Sequence, residues 1–131
     1  MKTHRGVMVL SPRKKVLLVE DDVDMAQLYR GVLRYARFDA DHVIDGVSAL
    51  RVLEHNAPDL IIVDMNLPVL GGAELLKEMA GRTDLRQIPA IVVTGTDTPL
   101  DLAVEEAKQV LRKPCSPDRL VSAVECHVKA A

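Results

Sequence analysis

Aromatic residues are almost missing from this chain: two tyrosines, one phenylalanine and no tryptophan among 131 residues. Its core must be aliphatic, and the scarcity argues against modules that stack nucleic-acid bases on aromatic faces. Cysteine is as rare. Cys115 and Cys126 stand eleven residues apart, form no CxxC pair and no metal framework, and are read as reduced thiols. No apolar run approaches the length that spans a bilayer. Gly6-Val7-Met8-Val9-Leu10 is too short for the apolar region of a signal peptide. These absences predict a cytoplasmic protein with no membrane insertion. No Gly-rich loop follows the first buried run, so a nucleotide-binding module has no support.

What is present is ordinary in amount and uneven in placement. Hydrophobic residues make up 48% and charged residues 27%, the balance of a single soluble domain with an aliphatic core. The net charge is −2, yet Lys2, Arg5, Arg13, Lys14 and Lys15 all precede the first acid. Residues 1–14 are therefore expected to be a basic, flexible leader and 15–131 an acidic domain. Five basic residues without interleaved aromatics give no case for direct nucleic acid binding.

Four short apolar runs each end on a residue that phosphoryl chemistry uses. Val16-Leu17-Leu18-Val19 runs into Glu20-Asp21-Asp22, Leu60-Ile61-Ile62-Val63 into Asp64, Ala90-Ile91-Val92-Val93 into Thr94, and Val110-Leu111-Arg112 into Lys113-Pro114. Such runs suit strands buried on both faces of a parallel sheet. A fifth, weaker strand is predicted over Asp39–Ile44. Helical patterns alternate with them. Asp22 caps a helix over about 23–36 with Met25, Leu28, Val32 and Tyr35 on one face. Asp45-Gly46 opens a second, through Leu50 and Leu53, and Gly71-Gly72 a third, through Leu75, Leu76 and Met79. Thr98-Pro99 and Ser116-Pro117 each pair a cap with a first-turn proline, starting a fourth helix to about Ala107 and a last one with Leu120, Val121, Val124 and Val128 inward.

Five βα units with right-handed crossovers make an α/β, flavodoxin-like, doubly wound five-stranded parallel sheet, order 2-1-3-4-5, with helices on both faces. In that order the four strands with polar ends are neighbours. Ligands bind at the carboxyl ends of such strands, so three or four carboxylates, a hydroxyl and an ammonium converge on one crevice.

With Glu20-Asp21, Asp64, Thr94-Gly95 and Lys113-Pro114 in this order, the chain resembles a response-regulator receiver domain of two-component signalling, of the single-domain type. Pro58-Asp59-Leu60 and the run Asp64-Met65-Asn66-Leu67-Pro68 followed by Gly72 support the match over about 15–130. The resemblance implies that Asp64 is the phosphoacceptor, taking a phosphoryl group from a sensor histidine kinase or a histidine phosphotransfer protein. It implies Mg2+ held by Asp21 and Asp64, by Glu20 directly or through water, and by the Asn66 backbone carbonyl. Thr94 and Lys113 are then the catalytic and switch residues, Gly95 leaves room for the phosphoryl group, and Asn66 and Thr96 modulate its loss. A cis peptide at Lys113–Pro114 is implied as well. Clustering of Glu20, Asp21 and Asp64 is expected to raise at least one carboxyl pKa. The protein is then not a conventional enzyme, and it signals by altered protein–protein contacts.

Four features depart from the family pattern. Gly71 stands where an acid commonly precedes the glycine, and Cys115 where an aromatic is common. Val110 takes the place of the aromatic that switches with the threonine, and Thr94 and Lys113 are only 19 residues apart. These departures keep open an alternative, a phosphorylation-independent receiver-fold docking module. A phosphatase using Asp64 lacks the second acid two residues on, where Asn66 stands. His42, His55 and His127 are scattered and read as surface residues.

Overall fold

The computed structural model describes residues 2–4, 7–9, 12–67, 69–95 and 107–128. Within the basic segment, β1 (Lys2–His4) and β2 (Val7–Val9) pair antiparallel in a sheet of their own. The main sheet holds β3 (Lys15–Val19), β4 (Asp39–Val43), β5 (Leu60–Asp64), β6 (Ala90–Thr94) and β7 (Gln109–Arg112). All four pairings in it are parallel, and the spatial order is β4-β3-β5-β6-β7. Counted along the chain within this sheet, that is the expected 2-1-3-4-5.

Side-chain alternation along each strand divides the core into two layers. Val16 and Leu18 of β3, Leu60 and Ile62 of β5 and Ile91 and Val93 of β6 face one side, against Ala26, Tyr29 and Leu33 of α1 (Val23–Tyr35) and Leu120, Ala123 and Val124 of α4 (Pro117–His127). Leu17, Val19, Ile61, Val63 and Val92 face the other, against Ala49 and Leu53 of α2 (Gly46–His55) and Leu75, Leu76 and Met79 of α3 (Gly72–Ala80). Each fully buried aliphatic side chain contributes about 1.5–3 kcal/mol by leaving water. Truncating Ile62, central on β5, to alanine would cost about 2–5 kcal/mol.

The helix starts follow the sequence signals. Asp22 accepts from the Met25 amide at 3.1 Å, Asp45 from Ser48 at 2.7 Å and Ser116 from Arg119 at 3.2 Å. Pro117 occupies the first turn of α4. Gly71 caps α3 without any side-chain hydrogen bond, so the departure at this position removes a cap. The buried face of α1 matches the expected one only in part, since Met25 packs half-buried against the core. Leu28 is 51% and Tyr35 92% exposed, while Ala26, Tyr29 and Leu33 are buried. The helix is turned by one residue, about 100°, which brings the small Ala26 onto the sheet. The helix expected from Thr98 to Ala107 lies outside the described residues.

The strand order reverses between β3 and β5, so the crevice of this α/β sheet opens beyond their carboxyl ends. Glu20 and Asp21 follow β3, and Asp64 ends β5.

Candidate functional site: an acidic cluster closed by a lysine

Three carboxylates meet at this crevice. Glu20, Asp21 and Asp64 each offer an oxygen, and these oxygens lie within 4.8 Å of one another. Glu20 and Asp64 are 2% and 3% exposed, whereas Asp21 faces solvent. Strand geometry explains the burial, because β3 and β5 are neighbours with Val19 opposite Val63, and their next residues emerge side by side.

Backbone donors fix the buried carboxylates. The Asp22 amide donates to Glu20 Oε2 at 3.2 Å, and the Asn66 amide to Asp64 Oδ1 at 3.0 Å. The Lys113 ammonium closes the cluster, 3.0 Å from Asp64 Oδ2 and 3.2 Å from Glu20 Oε1. It reaches inward from the end of β7, where its own amide donates to the Thr94 carbonyl at 2.8 Å. The Lys113–Pro114 peptide is cis, as expected. The next residue, Cys115, is a buried free thiol whose carbonyl accepts from the Tyr29 hydroxyl at 3.1 Å.

Burial chiefly, then the hydrogen bond and charge of Asp64, pushes the Glu20 carboxyl up to about 7. The expected upward shift therefore falls on Glu20. Burial alone would lower Lys113, but its bonds to Asp64 and Glu20 outweigh burial and hold the ammonium above its usual value. Among the described residues, two buried carboxylates beside a third share a single ammonium. Hard oxygen donors in this arrangement suit a small divalent cation such as Mg2+, which would relieve their repulsion.

Thr94 is fully buried at the end of β6 and, among the described residues, donates only a long 3.5 Å bond to the Gly95 carbonyl. The same carbonyl accepts from Arg112 Nη1 at 3.0 Å. Arg112 is a residue the sequence reading passed over. Its signal was the pairing of Thr94 with Arg112 across β6 and β7, which puts it beside the loop that leaves Thr94. Val110 is half-buried against the core layer that holds Val92 and presents no aromatic there. Thr96 lies outside the described residues.

His42 is not merely a surface residue. It is half-buried, with Nε2 2.6 Å from the Glu20 carbonyl oxygen. A carbonyl only accepts, so this nitrogen carries the proton. His55 is exposed and its Nδ1 lies 2.8 Å from the Arg51 carbonyl oxygen, and His127 Nε2 meets Gln109 Oε1 at 2.9 Å. Asp22 serves as the α1 cap, as expected.

Comparison with known proteins accords with this geometry. The chain is 32% identical over 117 residues to the sensory transduction protein RegX3 of Mycolicibacterium smegmatis, covering 87% of this chain and 50% of that protein. It thus spans about half the length of the curated relatives it matches. The receiver domain of sensor histidine kinase PA1611 from Pseudomonas aeruginosa, solved with a magnesium ion coordinated in its active-site cleft, superposes with a TM-score of 0.82 at 26% identity, covering 90% of this chain and 99% of that one. The chemotaxis response regulator CheY4 of Vibrio cholerae gives 0.78 at 27% identity, covering 87% and 98%. No helix among the described residues is long and apolar enough to cross a membrane. Residues 16–125 match the response regulator receiver domain, and with the acidic cluster, the buried threonine and the inward lysine on a 2-1-3-4-5 sheet the chain belongs to that family.

Proposed function

We propose that this receiver domain is a phosphorylation-dependent switch with Asp64 as phosphoacceptor, supplied by a sensor histidine kinase or a histidine phosphotransfer protein. The observation that carries the reading is the pairing of Asp64 with Lys113, 3.0 Å apart in a buried cluster with Glu20. Receiver domains are signalling modules that interact with histidine kinases, not conventional enzymes.

An Asp64 oxygen attacks the phosphorus, the bond to the donor imidazole nitrogen breaks, and that nitrogen keeps the electron pair. Oδ1 is oriented by the Asn66 amide and Oδ2 by Lys113. Lys113 stays within reach of the new phosphoryl oxygens and offsets their charge. Thr94, weakly bonded at rest, turns its hydroxyl to one of them, and Gly95 leaves room beside it. Glu20, Asp21, Asp64 and the Asn66 carbonyl are the protein groups to hold Mg2+, which supplies charge neutralisation when bound. Asn66 and Thr96, each two residues past a site residue, modulate the attack of water that removes the phosphoryl group. The setting for this chemistry is the cytoplasm, and the output is an altered protein–protein contact.

The rival docking-module reading is favoured by one observation, the aliphatic Val110 half-buried against the core where the family has its switching aromatic. Acetyl phosphate with Mg2+, followed by intact mass, separates the two. Wild type is expected to gain one phosphoryl group and Asp64→Asn none. An equal adduct on Asp64→Asn defeats the assignment, undiminished labelling in excess EDTA defeats the metal, and no adduct on wild type favours the docking module.

A further inference from the structure

The stretch between Asp64 and α3 is held at its start by backbone amides and packed by two glycines that touch backbone. At its start the Met65 amide donates to Val93 at 3.2 Å and the Asn66 amide to Asp64 Oδ1 at 3.0 Å. At its far end Gly72 lies on the phosphoacceptor's own backbone. A Cβ there would stand 2.6 Å from the Asp64 carbonyl oxygen and 3.0 Å from Met65 Cα. The second contact comes from outside the loop. A Cβ on Gly46, the first residue of α2, would overlap the Leu70 carbonyl oxygen and stand 2.7 Å from Leu70 Cβ and 2.9 Å from its carbonyl carbon.

Between the clamps Val69 is strained. Val69 has φ 62°, a region that β-branched residues avoid, and it is 74% exposed. Burial of its own side chain does not compensate, so the surroundings impose the conformation. Leu70, the next residue, packs half-buried against the core layer beneath α2 and α3. The wall it meets is firm, because Asp45 accepts from the Ser48 amide at 2.7 Å and pins the first turn of α2. Gly46 is buried and has no left-handed φ. It is a poor helix former kept for space, not for conformational freedom.

We infer that Gly46 is a positioning residue for Asp64: its bare Cα seats the Leu70 carbonyl against α2, and that seat fixes the loop whose Asn66 amide orients the Asp64 carboxylate. A methyl group at position 46 forces Leu70 outward. With Gly72 fixed, Val69 takes up the displacement, and the Asn66 amide reports whether it reaches the Asp64 carboxylate. The kinetic consequence rests on Asp64 as phosphoacceptor, while the geometric one does not.

The test uses the full chain, labelled with 15N, in three forms: wild type, Gly46→Ala, and Gly46→Ala with Val69→Gly. A glycine at 69 adopts positive φ without strain and lets the loop settle around the added methyl. Gly31 has open space at its Cβ position, so Gly31→Ala is the control. In Gly46→Ala, amide exchange at Asn66 is expected to speed up about tenfold or more while Met65 in the sheet ladder stays protected. Acetyl phosphate labelling is expected to slow about tenfold. The double variant should return Asn66 protection to within about twofold of wild type. Unchanged Asn66 exchange in Gly46→Ala overturns the inference. So does equal loosening of Asn66 and Met65 without rescue, the mark of general destabilisation. If Gly46→Ala fails to fold, a folded double variant with Asn66 protected supports the seat, and one that stays unfolded or leaves Asn66 open overturns it. A wild type that takes no phosphoryl group would sink the proposed function, yet the Asn66 amide would still decide this point.

Discussion

Lys113 lies 3.0 Å from Asp64, although β6 separates their strands in the sheet. A lysine just past β7 spans that gap only because the chain turns inward after Arg112, and the same ammonium also meets Glu20 at 3.2 Å. One cation thus serves two buried carboxylates. Removing it leaves both without their ion pair, so the cluster is balanced by a single side chain.

Asp64→Asn therefore acts on Glu20. It removes one of the charges that push the Glu20 carboxyl up to about 7, although burial, the larger cause, remains. Carboxyl carbon NMR titration is expected to show Glu20 ionising at lower pH in Asp64→Asn than in wild type. Lys113→Met acts in the opposite direction, moving Glu20 higher and destabilising the fold by about 1–3 kcal/mol. An unmoved Glu20 in both variants would show that the three groups are not coupled.

Stability should fall as pH rises through the Glu20 transition. Glu20 titrates near the usual 4.5 when unfolded and at about 7 when folded. Between those values the native state holds the extra proton, so raising the pH disfavours it. We expect metal-free protein to lose about 1–3 kcal/mol from pH 5 to pH 8 in denaturant melts. Mg2+ should restore much of that loss at pH 8, and its apparent affinity should drop as pH falls below 7, because protons compete for Glu20. A melt equally stable at both pH values without metal would contradict the shift.

Tyr29→Phe is expected to cost about 0.5–2 kcal/mol and to loosen the turn that carries Lys113. The buried hydroxyl donates to the Cys115 carbonyl, two residues past the lysine, and the variant strands that acceptor. Urea melts give the cost, and faster amide exchange at Cys115 and Ser116 reports the turn. Tyr29→Phe with wild-type stability would show that water replaces the bond.

The role of Tyr29 was hidden in the sequence, and the reason is instructive. Met25, Leu28, Val32 and Tyr35 form one apolar stripe on α1, and Ala26, Tyr29 and Leu33 form another, turned by one residue. Periodicity favours the larger side chains, but the sheet takes the stripe with the small Ala26 and leaves Tyr35 in solvent. The acids and the lysine were legible because each follows a short apolar run within a residue or so, where strand direction decides their place. Arg112 and His42 were not, since each acts through a carbonyl on a neighbouring segment, Gly95 and Glu20, that only the folded register brings near. Gly46 looked like half of a turn signal, and only the fold shows Leu70 against it.

The final expectation concerns how a change at Thr94 leaves the site. Val110 has a stiff, short side chain half-buried against the core beside Val92, so it has little reach to follow a moving hydroxyl. Thr94 instead shares an acceptor with Arg112, since both donate to the Gly95 carbonyl, at 3.5 and 3.0 Å. When Thr94 turns toward a phosphoryl group, the Gly95 carbonyl loses the Thr94 bond and keeps the Arg112 bond, which places the change at the end of β6. Amide exchange with and without beryllofluoride, a phosphoryl mimic, is expected to change over residues 95–102 and to stay nearly constant at Val110 and Leu111. Arg112→Ala should raise exchange over the same loop in the unliganded protein and shrink its further response to beryllofluoride. A protection change centred on Val110 and Leu111, with 95–102 unaltered, would show instead that β7 carries the signal through its own backbone.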